Sequence, residues 1–174
     1  MDGKQGLFVR HINVITFNEY VEQLANKISE TGIKFNGIIY IQRGGMIPAR
    51  LLSDLLGLSE MYPVIAKSYK GINDAEKVKI ESVPELPPGR FLLVDDVVDT
   101  GNTIEAVKQV LLKKNKGKDI ELAVAAVFYK DKGGPKPDFY AEKVDKDTWI
   151  DFYYEKNETK RLLEKQIKRK QIEV

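Results

Sequence analysis

The sequence predicts an α/β fold, a twisted and mostly parallel sheet flanked by helices. Short β-rich runs alternate with helical patterns along most of the 174 residues, the mark of crossover-connected strands covered on both faces. Polar, glycine-bearing motifs stand directly after three of the strand runs, where open parallel sheets present their ligand sites. The apolar fraction, 43%, is ordinary for a globular chain, and this length suffices for one real core.

The elements follow in order. Thr16-Phe17-Asn18-Glu19 has the spacing of a capping box, and Phe17, Tyr20, Val21, Leu24 and Ile28 then recur at helical intervals until Gly32. Residues 37–41 form a β-rich run that leads at once into Gln42-Arg43-Gly44-Gly45. A second helical pattern carries Ala49, Leu52, Leu55 and Leu56, and Gly57 closes it. Residues 61–66 read as a strand. From Ser68 to Pro88 the chain turns polar and rich in glycine and proline, which predicts a loop with one short strand near 78–82. Residues 91–94 are a strand, 103–112 a helix and 122–128 another apolar strand. The tail, 156–174, is charged and predicted helical, with Leu162, Leu163 and Ile167 on one side.

Composition excludes several functions. No cysteine is present, so disulfides and thiolate metal sites are ruled out, and the single histidine, His11, cannot build a histidine-rich metal centre. His11 has no partner in the sequence pattern and reads as structural. A net charge of +2 gives no global pull toward nucleic acid. No run approaches the roughly 18 apolar residues of a membrane span, and the amino terminus lacks the form of a signal peptide. A cytoplasmic protein without membrane partners is expected.

Residues 92–103, Leu-Leu-Val-Asp-Asp-Val-Val-Asp-Thr-Gly-Asn-Thr, carry the clearest chemistry. Asp95 and Asp96 stand at the carboxyl end of a buried strand, and Asp99-Thr100-Gly101-Asn102-Thr103 opens a helix. The first amides of a helix lack intrahelical partners, and its dipole favours anions, so this turn suits a phosphate. Neighbouring carboxylates suit ribose hydroxyls. Capping alone explains one acid, not two adjacent acids with Thr100, Gly101 and Thr103 beside them. Arg43-Gly44-Gly45 would aim a guanidinium fork at the same sheet edge, which suits a pyrophosphate. Trp149 beside Ile150-Asp151 is a combination able to stack on a base and accept its exocyclic N–H.

Two acids followed four residues on by Asp-Thr-Gly resemble the 5-phosphoribosyl-1-pyrophosphate (PRPP) motif of type I phosphoribosyltransferases. The likeness runs from about Val14 to Glu155, and Asp147-Thr148-Trp149-Ile150-Asp151 is similar to the purine pocket of the xanthine-guanine subgroup. The resemblance implies a type I phosphoribosyltransferase fold, as a single domain over 1–155. A small hood region, made by the N-terminal segment and about 130–155, carries the base pocket. It implies transfer of phosphoribose from PRPP to guanine, xanthine or hypoxanthine, three bases that share the 6-oxo group and differ at position 2.

The resemblance also implies roles. Asp95 and Asp96 take the ribose hydroxyls and, with PRPP, Mg²⁺; residues 99–103 take the 5′-phosphate; Arg43, Gly44 and Gly45 take the pyrophosphate. Asp99 lies near purine N7, Lys130 donates to the 6-oxo group, Trp149 stacks on the base, and Ile150 and Asp151 read position 2. Ser68, Tyr69 and Lys70 belong to a mobile loop that closes over PRPP. The family often has a non-proline cis peptide in the pyrophosphate loop, which makes Gln42–Arg43 the candidate bond. Dimers and tetramers are its common assemblies. Asn102 stands where a small residue is frequent, and Phe152-Tyr153 where proline is frequent. Two alternatives are a transferase for adenine or a pyrimidine, and a PRPP-sensing regulator that binds nucleic acid through its basic tail.

Overall fold

A computed structural model of the chain describes residues 8–70 and 76–155. Its elements run β1 (Phe8–Ile12), α1 (Val14–Glu30), β2 (Gly37–Gln42), α2 (Met46–Leu56), β3 (Met61–Lys70), β4 (Glu76–Ser82), β5 (Gly89–Val98), α3 (Asn102–Lys114), β6 (Ile120–Lys130), β7 (Phe139–Val144) and β8 (Thr148–Phe152). The chain divides into two units, Asn18–Lys146 and the pair of segments Met1–Phe17 and Asp147–Val174. Among the described residues no helix is long and apolar enough to cross a membrane.

The larger unit holds a six-stranded sheet in the order β4-β3-β2-β5-β6-β7, parallel except where β4 runs against β3. Strand side chains alternate between faces, and both faces are covered. Ile39, Ile41, Phe91, Leu93, Val124 and Ala126 face a cluster completed by Ile104, Val107 and Leu111 of α3. On the other face α2 packs over β2 and β5 through buried Ala49 and Leu52. Tyr20 of α1 sets its ring edge against Phe128 of β6, with centroids 5.0 Å apart. Lys27 ties the same helix to the β7 carbonyls of Tyr140 and Ala141, at 2.9 Å each.

The smaller unit pairs β1 with β8 in parallel, in the register His11 with Asp151 and Ile12 with Phe152. Phe17 fits edge-on against Phe152 and Tyr154, while Phe152 and Tyr154 stack on each other. Phe152 is therefore core, as Ile12 and Ile150 are.

Several expectations are corrected. The α1 cap is Asn13, not Thr16. The Asn13 side chain accepts the Thr16 amide at 2.9 Å, and its carbonyl accepts the first helical bond from Phe17. The chain leaves β1 at Ile12, so the helix starts a turn earlier than the Thr16 spacing suggested. Among the described residues of the polar stretch after residue 67, 68–70 finish β3 and the short strand expected near 78–82 is a longer one, β4. Ser68, Tyr69 and Lys70, expected in a mobile loop, finish β3 and pair with Val78, Lys77 and Glu76 of β4. An antiparallel edge pair needs no apolar face, and here Glu81 is held between Lys67 and Lys79 at 3.0 and 3.5 Å. Residues 71–75 of that expected loop and the tail 156–174 lie outside the described residues. Strand β5 also runs to Val98, so Asp95 and Asp96 sit within its last turns of pleat rather than after it.

Candidate active site

Three loops at the carboxyl ends of β2, β5 and β6 build the site within the larger unit. Along β5 the buried run Phe91-Leu92-Leu93-Val94 ends in half-buried Asp95 and buried Asp96. Asp96 accepts its neighbour Val97's amide at 2.7 Å, and Asp95 accepts that of Asp96 at 3.0 Å, so local backbone donors orient both carboxylates.

The β2–α2 loop comes directly against them. The Gln42–Arg43 peptide is cis, in agreement with the position implied by the resemblance. A Cβ on Gly44 would stand 2.5 Å from Asp96 Oδ1, so a larger residue would have to push the carboxylate aside. Gly45 then caps α2 without any side-chain partner. Arg43 is exposed beside them.

After β5 the chain turns through Asp99, Thr100 and Gly101 into α3. Gly101 is the cap, with φ 78°, a left-handed conformation that glycine adopts without steric penalty. No side chain caps α3, and the Asn102 amide reaches only the Thr100 hydroxyl, at 3.4 Å. The first carbonyl-directed bond is from Glu105 to Gly101, so the opening of α3 offers its early amides and the Thr100 and Thr103 hydroxyls to an anion.

The β6 end closes over this turn. Lys130 is buried, 7% exposed, and its Nζ lies 3.5 Å from Asp99 Oδ2. Lys132 Nζ lies 2.7 Å from Asp99 Oδ1, an oxygen sealed from solvent. Gly134 packs on the turn itself, because a Cβ there would fall 1.9 Å from the Thr100 carbonyl oxygen. Pro135 covers Gly101 in the same way. Between the two lysines Asp131 faces away, ion-paired to Lys143 at 2.9 Å, and its carboxyl is held below its ordinary range chiefly by that ammonium. Burial pushes the Tyr129 hydroxyl up.

The structure thus gathers Arg43, Gly44, Gly45, Asp95, Asp96, residues 99–103 and Lys130 on one sheet edge. Trp149, Ile150 and Asp151 belong to β8 in the other unit. There Ile150 is buried, while Trp149 and Asp151 alternate to the half-buried face. His11, read from sequence as having no partner, places Nδ1 2.5 Å from Asp151 Oδ2. Nothing in the sequence marked Lys132 or the His11–Asp151 pair, since both contacts depend on strand register. Among the described residues no three acidic, histidine or cysteine side chains cluster to hold a metal unaided. Two adjacent carboxylates fit a hard cation that takes its remaining oxygens from substrate and water.

A sequence model of the phosphoribosyl transferase domain matches residues 16–161. A xanthine-guanine phosphoribosyltransferase from Chromohalobacter salexigens is 36% identical over 118 residues, covering 68% of this chain and 67% of that one. Among solved structures, a hypothetical protein from Neisseria gonorrhoeae with bound ppGpp superposes with a TM-score of 0.74 at 30% identity, covering 87% of this chain and 91% of that one. A purine phosphoribosyltransferase from Pyrococcus horikoshii gives a TM-score of 0.70 at 32% identity, covering 84% and 94%.

Proposed function

The chain belongs to the phosphoribosyl transferase family, and from that premise we propose that it is a purine salvage enzyme joining PRPP to a 6-oxopurine. Purine N9 forms a bond to C1 of the ribose as the C1–O bond breaks. Pyrophosphate leaves with the bonding pair, the purine N7 proton passes toward Asp99, and a nucleoside 5′-monophosphate results. The observation that best supports this reading is the Lys130–Asp99 pair, which brings a buried base-reading cation to the ribose-phosphate turn.

Each group then has a task. Asp95 and Asp96 hold the ribose hydroxyls. The opening of α3, with Thr100 and Thr103, holds the 5′-phosphate, and Arg43 with the Gly44-Gly45 backbone holds the pyrophosphate. Bond cleavage builds positive charge on the ribose, and the paired carboxylates lie where that charge develops. Mg²⁺, bound through PRPP oxygens, Asp95 and Asp96, would neutralise the leaving pyrophosphate. Lys130 donates to the 6-oxo group, Trp149 stacks on the base, and the Ile150–Asp151 edge reads position 2. Ser68, Tyr69 and Lys70 would contribute to covering PRPP from the end of β3. The chain is expected to assemble as a homodimer or homotetramer, which light scattering would check.

The test is PRPP-dependent pyrophosphate release with guanine, xanthine, hypoxanthine, adenine, uracil and orotate offered one at a time. Turnover with 6-oxopurines supports the proposal, and turnover with adenine or a pyrimidine alone replaces it with the alternative transferase. A second reading concerns a regulator of the same site. The Neisseria neighbour binds ppGpp, a guanine nucleotide with diphosphates on its ribose, which presents the same chemical groups as the two substrates together. Competition between ppGpp and PRPP would establish it, and undiminished PRPP turnover under saturating ppGpp would exclude it.

A further inference from the structure

The β6–β7 connection is built to fix one carboxylate. Lys130 and Lys132 stand two residues apart and both reach Asp99, one to each oxygen, at 3.5 and 2.7 Å. Their shared direction is set by a tight turn in which the Lys132 amide donates to the Lys130 carbonyl at 3.0 Å. Asp131, between them, points the other way. Its carboxylate takes the Lys143 ammonium at 2.9 Å. That contact from β7 ties down the middle of the turn and helps fix the aim of the flanking lysines. Downstream, Gly134 and Pro135 rest on Thr100 and Gly101, which prevents the segment from lifting away.

The two cations differ in setting. Lys130 has a side chain only 8% exposed, whereas that of Lys132 is 32% exposed and closer to the acid. A purine that engages Lys130 through its 6-oxo oxygen would draw that ammonium off Asp99. The carboxylate would then keep Lys132, at the moment when it must face N7.

We propose that Lys132 is a positioning residue for Asp99, holding the carboxylate in place while Lys130 serves the base. This rests on the transferase reading above. Lys130 and Lys132 then divide binding from turnover, and their variants should fail in different parameters.

The experiment compares wild type, Lys132→Met and Lys132→Arg in steady-state kinetics with guanine and PRPP, alongside the Asp99 carboxyl ¹³C resonance of the base-free proteins. Lys132→Met should lower kcat by about 10- to 100-fold and leave the base KM within about threefold. Lys132→Arg should recover most of the loss, and the Asp99 resonance should move in the Met variant and return in the Arg variant. Unchanged kcat in Lys132→Met, a loss confined to base KM, or an unmoved resonance would each overturn the proposal. Should wild type turn over no base, the transferase reading fails, while the resonance comparison still decides whether Lys132 holds Asp99.

Discussion

Gly44 lies against the Asp96 carboxylate so closely that a Cβ would stand 2.5 Å from Oδ1 and 2.7 Å from Cγ. The loop after β2 and Asp96 of β5 therefore lie in direct contact. Gly44→Ala should displace the Asp96 carboxylate and lower kcat/KM for PRPP by about 100-fold, the scale of an ångström's misplacement. Circular dichroism should show the fold retained. Activity near the wild-type level would mean that the contact relaxes without consequence.

A parallel case concerns stability. Gly134→Ala would force a methyl group to 1.9 Å from the Thr100 carbonyl oxygen, a backbone atom unable to move aside cheaply. Overpacking of this kind costs about 1–3 kcal/mol, which lowers Tm by roughly 2–10 °C in a chain of this size. The KM for PRPP should rise in the same variant, because the 5′-phosphate turn is what the methyl group displaces. Gly32→Ala, with no atom near its Cβ, separates backbone strain from this collision, since only its left-handed φ would be penalised.

Asp99 and Trp149 should fail differently. Asp99→Asn keeps the shape but removes the proton acceptor, so kcat should fall by about 10²- to 10⁴-fold with little change in base KM. Trp149→Ala removes a stacking surface and should raise base KM roughly tenfold with a smaller effect on kcat. Equal losses in both parameters for both variants would contradict the division.

The Asp131–Lys143 pair gives a pH signature. Lys143 holds the Asp131 carboxyl below its ordinary value, so its contribution to stability is present above the unfolded carboxyl pKa, about 3.9, and disappears as pH falls through the lower folded value. Lys143 is itself raised by Asp131, so the same contribution is lost again as pH rises beyond the ordinary lysine range, about 10.4. Lys143→Met should therefore lower Tm slightly at neutral pH, and by less as pH falls through the lowered Asp131 value. The effect should shrink in high salt, because both groups are half exposed.

Much of this site was legible because its signals are local. Asp95, Asp96 and Asp99 to Thr103 occupy one continuous turn, and Arg43-Gly44-Gly45 another, each following an apolar strand run. Lys130 could be reached only through resemblance, since a lysine after a strand has no mark of its own. Lys132 was not legible at all, because its meaning comes from Asp99, which lies in a different loop far away in sequence. The pair β1 and β8 was missed for a related reason. Only Ile12 of β1 is buried, so no alternating pattern announces it. Ser68, Tyr69 and Lys70 look like loop residues because an edge hairpin is held by backbone bonds, which polar side chains do not oppose. Asn13 was overlooked as a cap because Thr16 offered a fuller capping motif three residues later.

The most direct test supplies wild type with PRPP, Mg²⁺ and equal amounts of guanine, xanthine, hypoxanthine, adenine, uracil and orotate in one reaction, and identifies the nucleotides by mass spectrometry. The account predicts 5′-monophosphates of 6-oxopurines alone, dependent on PRPP. Accumulation of an adenine or pyrimidine nucleotide in their place, or the absence of any nucleotide, would contradict it.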